Sequence, residues 1–239
     1  SDTITGTLSS ATDIDWYALE VSSAGSLTLN MSTERKNYSY YFWFYVVDQQ
    51  NNILVSDYCG SSCATEPEVI IAGLGNPGTY FIAVTGDSSY GVPKGSYSLN
   101  WTYSDGVSSD LELEPNDSFD KAQSLVSAQP INGSLSSTDD EDWYALSLSD
   151  TNALTISFSS DNIDYTDWKI SFLDQDRNVI ESMLCGGTSC SQNGTSMNIN
   201  AVGSGSFYVL VESSSGYYYP YGTYQLIVSS DQLPDSPNA

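Results

Sequence analysis

The chain contains the same pattern twice. ITGTLSSATDIDWYALEV at residues 4–21 returns as INGSLSSTDDEDWYALSL at residues 131–148. VVDQQNNILVSDYCGSSC (46–63) is answered by FLDQDRNVIESMLCGGTSC (172–190), and GTYFIAVTGDSSYGVPKGSYSLNW (78–101) by GSFYVLVESSSGYYYPYGTYQLIV (205–228). The order is preserved, so the sequence reads as a tandem duplication of a unit of roughly 100 residues, an ordinary domain size. Whatever one copy folds into, the other must fold into as well.

Each copy reads as β structure. Tyr144, Leu146 and Leu148 alternate with Trp143, Ala145 and Ser147. Leu154, Ile156 and Phe158, then Phe207, Val209 and Val211, then Tyr224, Leu226 and Val228 repeat the alternation. Period-two patterning broken by Gly, Asn, Asp and Ser is the mark of half-buried antiparallel strands. About eight such runs per copy predict an all-β chain of two tandem antiparallel β-sandwich (jelly-roll-like) domains. Helical periodicity is weak apart from a turn at 118–124. The expected boundaries are 1–104 for the first sandwich, 105–110 for a linker, 111–230 for the second sandwich and 231–239 for a tail. The tail, DQLPDSPNA, reads as a Pro-containing linker.

Composition narrows the function. Acids outnumber bases 30 to 6, for a formal charge of −24. A phosphate backbone needs a basic footprint, so nucleic acid is excluded as a partner and an anionic membrane surface is disfavoured. No apolar run reaches the ~18 residues of a membrane-spanning helix, so no membrane insertion is expected. The first residues, SDTITGTLSS, have neither a basic nor an apolar stretch, so any export signal is expected outside this sequence. The chain has no histidine, which removes Ser-His-Asp and Cys-His catalysis and histidine-ligated zinc. Cys59 and Cys63 enclose three residues, and Cys185 and Cys190 enclose four. The simplest reading is one local disulfide per copy in an exported protein; a redox or zinc role would need closer spacing or more ligands. So short a loop contributes at most about 3 kcal/mol through chain entropy.

The stretch ELEPND (112–117) sets three carboxylates and an amide around a proline with no basic residue among them. Glu114 precedes Pro115, which biases it towards an extended backbone. In such a backbone Glu112 and Glu114 point to one side, with the oxygens of Asn116 and Asp117 just beyond. Asp140 and Asp142 stand two apart at the start of the DWYALSL strand. If the stretches meet, the carboxylates repel unless a cation lies among them. Calcium takes 6–8 hard oxygen ligands. The expected Ca2+ site is therefore Glu112, Glu114, Asn116, Asp117, Asp140 and Asp142, with Asp139 as a substitute. The alternative is a solvated acidic linker.

ELEPNDSFDKAQSL, followed by INGSLSSTDDEDWYALSL, GSFYVLV and YGTYQLIV, resembles the bacterial pre-peptidase C-terminal domain, of which the collagen-binding domains of clostridial collagenases look like relatives. The resemblance covers about 111–230 fully and the first copy from Ile4 onward. It implies a secreted, non-catalytic β-sandwich attached to an extracellular hydrolase, often with calcium at the start of the domain. The first copy keeps Asp13 and Asp15 before Trp16, but the sequence begins before any Glu-Pro-Asn-Asp can appear: either it is cut inside the first domain or that copy lacks the segment, and a full calcium site there is in doubt.

The copies differ most in one strand, YSYYFWFYVVD (38–48) against IDYTDWKISFLD (163–174). Phe42, Phe44 and Val46 match Trp168, Ile170 and Phe172 and should face the core. The other face carries Tyr41, Trp43 and Tyr45 in the first copy and Asp167, Lys169 and Ser171 in the second. Such a row either meets a ligand or packs under another part of the protein. A second aromatic cluster is Tyr217, Tyr218, Tyr219 and Tyr221, beside the loop-forming Pro220. The function expected is a non-catalytic module holding a secreted enzyme on insoluble polysaccharide or fibrous protein, as a monomer within a larger polypeptide. The alternative is a structural spacer. Carboxylate-pair hydrolysis is the third option, but the acids concerned lie in a linker and at a strand start, where calcium accounts for them better.

Overall fold

The structure is a computed structural model and describes residues 3–10, 12–34, 41–60, 62–86, 95–150, 152–161, 167–186, 190, 194–214 and 222–230. The chain divides into two compact units, Ser1–Ser108 and Ser109–Ala239. Among the described residues no helix is long and apolar enough to cross a membrane.

The first unit has eight strands: β1 (Thr3–Gly6), β2 (Ile14–Val21), β3 (Gly25–Thr33), β4 (Phe42–Val47), β5 (Ile53–Cys59), β6 (Glu68–Leu74), β7 (Gly78–Gly86) and β8 (Tyr97–Asp105). They form two four-stranded sheets, ordered β1-β8-β3-β6 and β2-β7-β4-β5, with antiparallel neighbours. The period of two decides which side chains go inside. Leu27, Leu29 and Met31 of β3 are fully buried and share one cluster with Phe42, Phe44, Val46, Ile82 and Val84. Truncating a leucine such as Leu29 to alanine in a core of this kind costs about 2–5 kcal/mol.

The second unit repeats this order with β9 (Gln123–Ser124), β10 (Ile131–Gly133), β11 (Glu141–Leu148), β12 (Asn152–Ser160), β13 (Trp168–Asp174), β14 (Val179–Cys185), β15 (Thr195–Val202), β16 (Gly205–Ser213) and β17 (Tyr224–Ser230). One sheet runs β10-β17-β12-β15 and the other β14-β13-β16-β11-β9. The all-β sandwich read from alternation is thus the fold observed. Tyr144, Leu146, Leu148, Leu154, Ile156, Phe158, Val209 and Val211 all lie in one core, as do Trp168, Ile170 and Phe172.

Trp143 departs from the alternation. It faces away from that core yet is only 7 % exposed. A second cluster of Trp143, Leu173 and Leu210 lies on the outer face, with Phe119, Ala122 and Tyr208 packed against it. Phe119 comes from a single 3-10 turn, Phe119–Lys121, where the sequence predicted a turn. The following β9 pairs in parallel with β11, Gln123 opposite Tyr144 and Ser124 opposite Ala145. Both cysteine pairs are bonded, Cys59 to Cys63 and Cys185 to Cys190, with Cα separations of 5.5 and 5.2 Å. All four cysteines are buried and join the cores of their units.

Candidate metal centre and aromatic face

Residues 111–117 of the second unit, ahead of the 3-10 turn, are held in place by specific hydrogen bonds. The Glu112 N–H donates to the Asn132 carbonyl at 2.9 Å. The Gln123 side chain clamps both ends, accepting from the Leu113 N–H at 2.8 Å and donating to the Leu111 carbonyl at 3.1 Å. The Trp143 N–H donates to the Asn116 carbonyl at 3.2 Å. The Glu114–Pro115 peptide bond is cis. An extended backbone sends alternate side chains to one side. Here that side is polar: Glu112, Glu114 and Asn116 are buried, while Leu113, Pro115 and Asp117 are half-buried. This reverses the usual amphipathic rule, so the buried oxygens need a stated partner.

Opposite them stand Asp140 and Asp142, at the start of β11 and also buried. One carboxylate oxygen each from Glu112, Glu114 and Asp142 lies within 4.8 Å of the others, and the same holds for Glu114, Asp117 and Asp140. All six residues expected from the sequence are therefore gathered in one place. Asp139 is exposed.

Within this cluster Glu112 is the hydrogen-bond hub. Its Oε1 accepts from Asn116 Nδ2 at 3.0 Å and from the Tyr144 hydroxyl at 2.8 Å. Its Oε2 accepts from the Ser134 N–H at 3.0 Å. Asp142 Oδ2 accepts from the Tyr224 hydroxyl at 2.7 Å, and Asp140 Oδ2 from the Ser136 N–H. Gly133 is required here, because a Cβ would stand 2.5 Å from the Tyr224 hydroxyl and 2.7 Å from Glu112 Oε2.

Four oxygens remain with no hydrogen-bond partner: Glu114 Oε1, Asn116 Oδ1, Asp140 Oδ1 and Asp142 Oδ1. An unpaired buried charge is far costlier than an exposed one. The proton affinities reflect this. Burial raises the Glu114 carboxyl well above the usual range, and the charges of Glu112, Asp140 and Asp117 push it further. Asp142 is raised for the same reason, with Glu112, Asp140 and Glu114 as neighbours. Burial lifts Asp140 to about 7 despite opposing hydrogen bonds from Ser136. Burial and the nearby carboxylates also raise Tyr144 and Tyr224. The ion pair found among the described residues, Lys169 to Glu212 at 2.8 Å, lies on other strands. The donor set is all oxygen, closely spaced and otherwise unsatisfied, which fits a hard divalent cation.

The first unit has part of this arrangement. The Tyr97 hydroxyl donates to Asp15 Oδ2 at 2.6 Å and stands 2.6 Å from the Tyr17 hydroxyl. The Ser9 N–H donates to Asp13 Oδ2 at 2.6 Å, and with the Ser9 hydroxyl this holds the Asp13 carboxyl below its ordinary value. No carboxylate cluster like that of the second unit occurs there among the described residues.

The aromatic row lies on the outer face of the sheet β2-β7-β4-β5. Tyr41, Trp43 and Tyr45 are half-buried, between the two outcomes weighed from the sequence. Trp43 and Tyr45 stack with centroids 6.4 Å apart. Tyr58, directly across from Trp43 on β5, completes the row, 5.4 Å from Trp43 and 5.3 Å from Tyr41. Sequence reasoning missed Tyr58; its signal was the outward position it holds one residue before the buried Cys59. Ala83 sits between Tyr45 and Trp16 across three strands. In the second unit the positions of Trp43 and Thr85 are taken by the Lys169–Glu212 pair. The cluster Tyr217, Tyr218, Tyr219 and Tyr221 lies outside the described residues.

No family model matches the chain, and no curated protein matches it. Among solved structures, the pre-peptidase C-terminal domain of a collagenase from Bacillus anthracis is similar at 22% identity and a TM-score of 0.36, covering 45% of this chain and 94% of that one. The tandem CBM22-1–CBM22-2 domain of Xyn10C from Paenibacillus barcinonensis is similar at 9% identity and a TM-score of 0.28, covering 97% and 86%. The M60 catalytic domain of Clostridium perfringens ZmpB with its CBM51-1 and CBM51-2 domains is similar at 8% identity and a TM-score of 0.32, covering 95% and 34%. At such low identities and scores, these likenesses assign neither a family nor a ligand.

Proposed function

We propose that the chain is a calcium-stabilised, non-catalytic accessory module of a secreted bacterial hydrolase, which it holds on insoluble polysaccharide or collagen-like protein. The observation that carries the calcium reading is the convergence of four partnerless buried oxygens, from Glu114, Asn116, Asp140 and Asp142. Asp117 and Glu112 supply further oxygens within reach. Calcium suits a site built almost wholly of protein oxygens, whereas magnesium usually keeps several waters. The ion would offset part of the cluster's negative charge and fasten residues 111–124 to β11. The paired cysteines support an extracytoplasmic setting. Binding rests on the four-ring face of Tyr41, Trp43, Tyr45 and Tyr58, since Tyr and Trp combine apolar area with a polar handle. Tyr217, Tyr218, Tyr219 and Tyr221, outside the described residues, are a second candidate contact.

A second reading, a structural spacer, is favoured by the way these rings pack on one another. Retention on chitin, cellulose, alginate and collagen separates the two. The module reading predicts retention on at least one polymer and its loss in Trp43→Ala. Retention on none contradicts it and leaves the spacer.

A further inference from the structure

The second unit has a cleft on a face that neither the metal centre nor the aromatic row uses. In the sheet β10-β17-β12-β15, Phe158, Leu226 and Met197 are buried in the core. Alternation turns Ser157, Ser159, Ser196, Gln225 and Ile227 to the opposite side. The register sets them together: Ser157 lies between Ser196 and Ile227, and Ser159 beside Gln225. With Gly194 and Thr195 they line a cleft of about 300 Å³, a volume at the small end of ligand sites. Glycine is required at 194, where φ is +63° and a Cβ would stand 2.7 Å from the Phe158 carbonyl oxygen. The first unit has the same register with other residues. Asn30 lies between Val69 and Asn100 where Ser157 lies between Ser196 and Ile227, and Pro67 precedes β6 where Gly194 precedes β15. Serine, serine and glycine in place of asparagine, valine and proline leave the room that the cleft occupies.

The lining selects a ligand by elimination. Its polar side chains are hydroxyls and one amide, and none is charged, in a chain with 30 acids and 6 bases. An anion would meet no base there and a net charge of −24 around it, and a cation would meet no carboxylate. An apolar ligand would leave the hydroxyls unpaired. The Gln225 amide is already oriented, because its Nε2 donates to Asn132 Oδ1 at 3.1 Å, which leaves Oε1 to accept. Serine hydroxyls both donate and accept, as sugar hydroxyls do. We infer that this cleft binds a neutral glycan, one sugar ring resting on Ile227 with its hydroxyls paired to Ser157, Ser159, Ser196 and Gln225. The inference gives the polymer of the proposed function its chemical class and rests on that reading to this extent, but the cleft itself needs neither the ion nor the aromatic face.

The test is an NMR titration of the isotope-labelled full chain with cellohexaose, xylohexaose, laminarihexaose and chitohexaose. Saturable shifts of the Ser157, Ser159, Ser196 and Gln225 amides are expected with at least one of them. Installing the first unit's residues, Ser157→Asn with Ser196→Val, should weaken that binding about tenfold or more. Both positions lie outside the core, so the melting temperature should change little. Leu184→Ser, at an exposed position of β14, should leave binding unchanged. No shift at the cleft with any of the four sugars would overturn the inference, and retention on insoluble polymer through the aromatic face would still stand. Binding that survives the cleft variant but falls in Trp43→Ala would overturn it too, by assigning the sugar to the aromatic face. So would an equal response to oligogalacturonate, which removes the selection for a neutral ligand, or cleft shifts produced only by a Gly-Pro-Pro repeat peptide, which assigns the cleft to collagen-like protein.

Discussion

The Tyr224 hydroxyl stands 3.0 Å from Glu112 Oε1 across 112 residues of sequence. It also stands 2.7 Å from Asp142 Oδ2 and has one proton to give. The Tyr144 hydroxyl, 2.8 Å from Glu112 Oε1, supplies the other. The two tyrosines therefore share the work: Tyr144 serves Glu112 and Tyr224 serves Asp142. The last strand, the first carboxylate of the leading segment and the start of β11 are joined in one relay.

Removing the Tyr224 hydroxyl leaves a buried carboxylate oxygen without its donor. Tyr224→Phe should lower stability by about 1–3 kcal/mol, measured by urea unfolding. It should also weaken calcium binding, because Asp142 loses its orienting contact.

Phe119 fixes the same segment from its outer side, against Trp143 and Tyr208, with the Arg177 guanidinium 4.6 Å from its centroid. Phe119→Ala should cost about 2 kcal/mol, below the 3–5 kcal/mol of a fully buried phenylalanine because the ring is only half-buried. Trp143 should become more solvent-exposed, read as a red shift and easier quenching of its fluorescence.

In chelator the cluster makes stability depend on pH. The folded protein holds protons on Asp140 up to about 7, against an ordinary value of 3.8, and Glu114 and Asp142 are raised as well. A raised acid favours the folded state below its unfolded value, and that contribution is lost as pH rises through the folded value. The metal-free chain should therefore be more stable to urea at about pH 5 than at about pH 8. Equal stability at both would contradict the burial of these carboxylates.

On the aromatic face, Trp43→Ala and Tyr58→Ala should each reduce polymer retention about tenfold, as for a central binding residue. Both side chains lie outside the core, so melting temperatures should fall by only a few degrees. Retention unchanged in both would place the binding surface elsewhere.

The strands were legible because alternation directly encodes which side faces the core, as with Leu154, Ile156 and Phe158. The oxygens of Glu112, Glu114 and Asn116 were legible for the same reason, since an extended segment sends every second residue one way. The relay was not. Its partners, Tyr144 and Tyr224, lie 32 and 112 residues from Glu112, and no local period carries that information. Trp16 and Trp143 show the same limit. They occupy identical motifs, yet one is half exposed and the other buried, because Phe119 covers only the second. Tyr58 was missed because its place beside Trp43 depends on the β4–β5 register, which slips between Val46 and Val47.

The central claim is that an ion reconciles the buried acids of the second unit, and thermal melting with calcium against chelator tests it most directly. A ligand at a hundred times its dissociation constant adds about 2.7 kcal/mol to a folded state that alone binds it. Calcium should therefore raise the melting temperature of the native chain by about 5–10 °C, and by little in a Glu114→Gln, Asp142→Asn chain. A native chain that melts at the same temperature in calcium and in chelator would contradict the account.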